Sequence, residues 1–174
     1  MKVTSEELDR RMARFRKVLR DVGVKVTPQR IEIYREVART DEHPSAETIF
    51  QRVRSRMPTV SRDTVYRTLS LLEKLGLVSR LHAVFEGARF DANMEPHHHF
   101  ICGTCGMMHD VRDEKLDSLA VSPEISRLGV IDSIRVHMWG TCCNCLLDTK
   151  TQDNMGQDHE DQKNASPVEG GGGD

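Results

Sequence analysis

No apolar run in this chain of 174 residues approaches the roughly 18 needed to cross a bilayer, so a membrane span is excluded. The opening stretch, MKVTSEELDRRMARFRK, has neither the apolar core nor the small-residue cleavage site of a secretion signal, and a cytoplasmic protein is expected. There is no H-E-x-x-H, no Gly-rich phosphate loop and no nucleophile elbow, so a metalloenzyme built on the chain's histidines and aspartates is without support. No internal repeat of useful length is present.

What the chain does have is unevenly placed. Residues 1–80 carry 18 Lys/Arg against 11 Asp/Glu, a net of +7. Residues 81–147 carry 5 against 9, a net of −4, and residues 148–174 carry 2 against 7, a net of −5. A basic half joined to an acidic half suggests that one end meets a polyanion while the other does something else. Five cysteines in a cytosolic chain of this size point to metal or redox chemistry more than to a disulfide framework.

Four helices are expected in the basic half. The first runs from Ser5 to Val22 on Leu8, Met12, Phe15, Val18, Leu19 and Val22. The second opens at Thr27 as N-cap with Pro28 at the first helical position, the third at Ser45, and the fourth at Ser61, running to about Leu75 and stopped by Gly76. LVSRLHAVF and ARFD, around the EG at 86–87, read as a hairpin, and helix, short connection, helix and hairpin make a winged helix-turn-helix. Farther on, residues 98–102 and 107–111 read as strands joined at GTCG. Residues 113–128 read as helical with an interruption at Pro123, and 130–140 as a strand. The fold class is therefore α+β, and the polar stretch 148–174 reads as a disordered acidic tail.

On the fourth helix, Val65, Thr68, Leu69, Leu72 and Leu75 fall on one side and Arg62, Asp63, Tyr66, Arg67 and Ser70 on the other. The second face can meet base edges and phosphates of double-stranded DNA. The residues expected to contact DNA are Ser61, Arg62, Thr64, Tyr66 and Arg67.

Two C-x-x-C pairs, Cys102/Cys105 and Cys142/Cys145, each suit a tight turn that aims two sulfurs at one ion, and together they predict a closed Cys₄ structural zinc site. Such a clamp contributes on the order of 10 kcal/mol, enough to decide whether a small domain folds. Cys143 is left over as a free thiol. A full Cys₄ shell leaves the run His97-His98-His99 to be explained otherwise. Strand alternation puts His97 and His99 on one side and His98 on the other, with Asp91 upstream and Asp110 downstream. Imidazole and carboxylate without thiolate suit ferrous iron or manganese and also accept zinc.

With GVKVTPQR, HPSAETIF, SRDTVYRTLSLLEKLGLV, RFD, HHHFICGTCG and the late C-x-x-C in this order and spacing, the chain resembles the ferric uptake regulator family of bacterial metal-dependent repressors, over roughly residues 10–147. The resemblance implies a winged-helix DNA-binding domain (1–84), a hinge (85–90) and an α/β metal-binding dimerisation domain (91–147). It also implies a homodimer that binds a palindromic operator when loaded with metal. Carried over by position, one structural zinc per chain falls on Cys102, Cys105, Cys142 and Cys145, and one regulatory iron or manganese ion on His43, Asp91, His97, His99 and Asp110. His43 is supplied by the resemblance alone. It lies in the DNA-binding half, so an ion held by it and by the others would link the two halves.

Aspartate at both 91 and 110 resembles the peroxide-sensing branch, where the iron-sensing branch usually has glutamate. That branch implies iron-catalysed oxidation of a ligand imidazole, His43 or His97, by hydrogen peroxide, followed by loss of metal and of repression. The alternatives are a repressor that reads the level of ferrous iron or another divalent metal, and, farther off, a thiol redox protein using its C-x-x-C pairs.

Overall fold

A computed structural model describes residues 3–82 and 87–148. The tip of the expected hairpin, the first residues of the expected hinge (85 and 86) and the tail from 149 onward lie outside the described residues. The described residues fall into two units, one ending at Gly140 and one beginning at Thr141.

The first unit opens with helices α1 (Ser5–Asp21), α2 (Pro28–Ala38), α3 (Ala46–Arg54) and α4 (Arg62–Lys74). Each starts where a hydroxyl side chain accepts an otherwise unpaired N–H. Thr4 caps α1, Thr27 caps α2 with Pro28 in its first turn, Ser45 caps α3 and Ser61 caps α4. The apolar stripes of these helices meet in one core that contains Phe15, Leu19, Ile33, Val37, Ile49, Val53, Val65, Leu69 and Leu72. Phe15 and Tyr34 stack at 4.7 Å. Burying each such aliphatic or aromatic side chain contributes roughly 1.5–3 kcal/mol, the main force holding the four helices together. Gly76, at φ 63, ends the α4 run in the left-handed region that glycine tolerates.

A two-stranded antiparallel wing follows, β1 (Ser79–His82) against β2 (Ala88–Asp91), with Ser79 opposite Asp91. Phe90 and Ala92 join the helical core, and the Phe90 N–H donates to the Pro44 carbonyl at 3.1 Å. This stitches β2 to the α2–α3 connection, which carries His43. A second sheet has the order β4-β3-β5, from β3 (His98–Cys102), β4 (Met108–Val111) and β5 (His137–Gly140). Strand β3 runs antiparallel to β4 and parallel to β5.

The interruption expected at Pro123 is present, but the helical stretches within 113–128 are shorter than expected, two single turns, α5 (Glu114–Asp117) and α6 (Pro123–Ser126). Pro123 has no N–H to continue a helix and forces Ser122 into extended backbone at ψ 154, so it starts α6 afresh. Leu119, Ile125 and Leu128 are exposed and have no core to hold a longer helix in place. The strand expected over 130–140 is confined to His137–Gly140. In the second unit, residues 143–148 are helical, and the Leu146 N–H donates to the Cys142 carbonyl at 3.0 Å.

Candidate metal centres

The sheet explains why a three-histidine run can serve two purposes. Side chains alternate along β3, and His99 stands opposite Asp110 of β4. His97 precedes β3 on the His99 side. Asp91 ends β2, and His43 comes from the α2–α3 connection with its backbone in the left-handed region, φ 50. The Arg89 guanidinium donates to the His43 carbonyl at 3.3 Å, a second tie between β2 and this connection.

The donor atoms converge. His97 Nε2 lies 3.0 Å from His99 Nε2 and 3.1 Å from Asp91 Oδ2. Asp110 Oδ1 lies 2.7 Å from His43 Nε2 and 3.7 Å from Nε2 of both His97 and His99. One ligand atom from each of His43, Asp91, His97 and His99 falls within 4.8 Å of all the others. Donors about 2.1 Å from a common ion stand roughly 3–3.5 Å apart, which matches this spacing. His43, His97 and His99 are buried, as is Asp91.

The hydrogen bonding shows what the cluster lacks. His97 Nδ1 faces the Glu95 carbonyl at 2.7 Å, which places its proton there and turns the Nε2 lone pair inward. His43 Nε2, Asp91 Oδ2 and Asp110 Oδ1 are buried with no aligned hydrogen bond. Orphaned acceptors of this kind are costly to bury unless a cation satisfies them. A divalent ion therefore fits the group of three imidazole nitrogens and the Asp91 oxygen; Asp110 lies outside that mutually close group, against His43.

The electrostatics agree. Burial pushes the Asp91 carboxyl up, but the His97, His99 and His43 imidazoles and the Asn93 N–H outweigh it and hold the group well below the usual carboxylate range. Asp110 behaves likewise: burial raises it, while His43, Asn93 and His97 bring it down overall. His97 is raised, because burial is outweighed by the Asp91 carboxylate, the Glu95 carbonyl and Asp110.

His98 points the other way and is also buried. Its Nδ1 accepts the Val136 N–H at 3.1 Å, so Nε2 carries the proton and donates to Asp117 at 3.1 Å. It joins β3 to α5 and to the approach to β5. His109 is exposed on β4.

The cysteines form two turn-borne pairs. Cys102 ends β3, its N–H bonded to the Met107 carbonyl at 2.8 Å, and the Cys102 and Cys105 sulfurs lie within 4.8 Å of each other. The Cys142 and Cys145 sulfurs, at the start of the 143–148 helix, also lie within 4.8 Å of each other. Each pair has the spacing of two ligands on one ion.

On α4, Val65, Thr68, Leu69 and Leu72 are buried, while Ser61, Arg62, Tyr66 and Arg67 are exposed. Both arginines are already engaged: Arg62 bonds Glu47 of α3 at 2.8 and 3.0 Å, and Arg67 bonds Asp63 at 3.0 Å. The Ser61 hydroxyl accepts the Thr64 N–H and meets the Thr64 hydroxyl, so both serve the helix cap.

Residues 21–134 match the ferric uptake regulator family. The chain belongs to that family. It is 30% identical over 146 residues to the peroxide-responsive repressor PerR of Staphylococcus epidermidis, a match covering 83% of this chain and 97% of that one. Among solved structures it is similar to the Helicobacter pylori ferric uptake regulator, with TM-score 0.64 and 26% identity over 84% of this chain and 97% of that one. It is also similar to the Campylobacter jejuni peroxide stress regulator, with TM-score 0.60 and 26% identity over 73% and 95%.

As a member of the ferric uptake regulator family the protein is a metal-dependent, DNA-binding transcriptional regulator and not an enzyme. Its winged-helix and α/β architecture is that of the family. Family membership implies structural zinc and regulatory iron or manganese, and thiolate pairs beside a separate nitrogen–oxygen cluster are the donors those ions need. No helix among the described residues is long and apolar enough to cross a membrane. Two residues with a hand in the site escaped the sequence reading, Arg89 and Asn93. Neither type is a usual metal ligand, and only the fold brings them to His43 and to the two aspartates.

Proposed function

We propose that this family member is a homodimeric repressor in the cytoplasm that releases a palindromic operator when hydrogen peroxide oxidises a ligand histidine. The observation that carries the reading is the meeting of His43, from the helical layer, with His97, His99, Asp91 and Asp110 from the strands. The likeness to a peroxide-responsive repressor and to a peroxide stress regulator supports the same choice, as does aspartate at both carboxylate positions.

The regulatory ligands are His43, Asp91, His97, His99 and Asp110. Bound ferrous iron would supply an electron donor that activates hydrogen peroxide beside the ligand imidazoles, whereas manganese there would not. His43 and His97 are the rings expected to take up an oxygen atom. His43 is the tie that an oxidised ring loses: it is buried, and its carbonyl is pinned by Arg89. Ligation of His43 together with the strand ligands favours one pose of the α2–α3 connection relative to the β3–β4 sheet. By linkage, operator binding to that pose tightens the hold on metal.

Cys102, Cys105, Cys142 and Cys145 are the structural zinc ligands in this reading. Chain connectivity supports it: Gly140 pairs with Cys102, the Gly103 N–H donates to the Gly140 carbonyl at 2.8 Å, and Cys142 follows only two residues, at most about 7 Å, later. Exposed Leu128, Val130, Ile131 and Trp139 support a dimer face. Ser61, Arg62, Thr64, Tyr66 and Arg67 are the expected DNA contacts.

The test exposes iron-loaded, zinc-replete protein to hydrogen peroxide. Expected are a mass gain of one oxygen on the peptide holding His43 or His97 and loss of operator binding, with manganese-loaded protein unchanged. Oxidation confined to cysteines, or unmodified protein that still responds to iron level, would favour a metal-level sensor instead.

A further inference from the structure

Each aspartate in the regulatory cluster has one oxygen facing the imidazoles and one held elsewhere, and the same residue holds both. Asp91 Oδ1 accepts the Asn93 main-chain N–H at 2.7 Å, and Asp110 Oδ2 accepts the Asn93 side-chain amide at 3.2 Å. The oxygens left over, Asp91 Oδ2 and Asp110 Oδ1, are buried and face the His97 and His43 Nε2 atoms at 3.1 and 2.7 Å. The Asn93 side chain cannot simply turn over, because its Oδ1 accepts the Glu95 N–H at 3.3 Å. Those two local turns already satisfy the loop's geometry. The amide reaching across 17 residues to Asp110 adds nothing to the loop; it acts on the carboxylate.

The geometry points to Asn93 as a positioning residue that restricts both regulatory aspartates to one free oxygen each, and so fixes a shell of three nitrogens and two oxygens. This rests on the regulatory site proposed above. With both spare oxygens occupied, each carboxylate would offer a bound ion a single oxygen and could not chelate it. Releasing Asp110 Oδ2 would let that carboxylate offer both. Asn93 and Asp110 also line a cleft of about 510 Å³ beside α1, so truncating Asn93 exposes the released oxygen to water without emptying the core.

The test uses zinc-replete full-length protein. Manganese affinity and the visible spectrum of the cobalt-loaded regulatory site are measured for wild type, Asn93→Ala and Asn93→Asp. Asn93→Asp keeps the size and the acceptor for Glu95 but removes the donor. Both variants are expected to weaken the cobalt bands as a further carboxylate oxygen enters, and to change manganese affinity by about 10–100-fold. In an Asp110→Ala background, Asn93→Ala is expected to cause no further change in affinity, because Asn93 acts through Asp110. Affinity within about twofold of wild type with an unchanged spectrum, or changes that add in the double variant, overturn the assignment of Asn93 while leaving the site reading intact. A wild-type protein that takes up no second metal overturns both.

Discussion

In the proposed reading His43 ties the helical layer to the strand ligands, and replacing it is expected to uncouple metal from DNA. Two variants make the test sharp, His43→Ala and His43→Gly. Both remove the imidazole that faces Asp110 at 2.7 Å. Coupling between two allosteric sites is typically about 1–3 kcal/mol, or roughly 5–150-fold in affinity. In both variants, the ratio of operator affinity with and without manganese is expected to fall from that range to near one. The assay is fluorescence anisotropy on a duplex selected with the wild-type protein, with manganese used to avoid peroxide chemistry. The variants must differ in stability in a way set by the backbone. At φ 50 a residue with a Cβ costs about 1–2 kcal/mol, which glycine avoids, while glycine gives back about 0.4–1 kcal/mol through the freer unfolded chain. The net centres on about 0.8 kcal/mol in favour of glycine, within about 0–1.6, a melting temperature higher than that of the alanine variant by roughly 2–3 °C at the centre. A manganese ratio that survives in both variants would refute the tie, and an alanine variant as stable as the glycine one would refute the strain.

Three further outcomes follow from the geometry. His97 is raised above its ordinary value of 6.5, so its contribution to the metal-free fold is fully present below that value and is lost as pH rises through the higher folded value. Asp91 and Asp110 are lowered from 3.8, and their contribution is present above that value and lost as pH falls through the depressed ones. Metal displaces the His97 proton, so the gap in melting temperature between manganese-loaded and metal-free protein is expected to widen from about pH 5 to pH 8; a flat gap in thermal scans counts against this. At the DNA face, Arg62→Ala is expected to weaken operator binding. Glu47→Gln, which removes the acid competing for Arg62, is expected to tighten it by at most about fivefold, since an exposed ion pair is worth at most about 1 kcal/mol; titrations at two salt concentrations read both. If the proposed homodimer uses the exposed apolar face, Leu128→Asp with Ile131→Asp is expected to shift the mass in light scattering from that of a dimer to that of a monomer while zinc stays bound, and an unchanged mass would count against this face.

Local chemistry was legible wherever it decided the outcome by itself. Thr4, Thr27, Ser45 and Ser61 cap the helices because a hydroxyl beside an unpaired N–H needs no distant partner, although Thr4 was not singled out from the sequence. The α4 stripe reads from 3.6-residue periodicity, and the split of His97 and His99 from His98 reads from strand alternation. The errors fell where a segment's state depends on a neighbour. Residues 113–128 have helical spacing but nothing buried to lean on, and only four residues of 130–140 find a strand to pair with.

The sequence by itself determined the donor types, their grouping into thiolate pairs and a nitrogen–oxygen run, the basic first half and the helix starts, since each is written in spacings of a few residues. The tertiary structure alone decided the convergence of His43, Asp91, His97, His99 and Asp110 on a space a few ångströms wide. It also decided that Asn93 reaches Asp110 as well as Asp91 and that Arg62 already holds Glu47 of α3. These depend on which elements pack together, a result of burying the whole core at once, and no short stretch of chain carries that information.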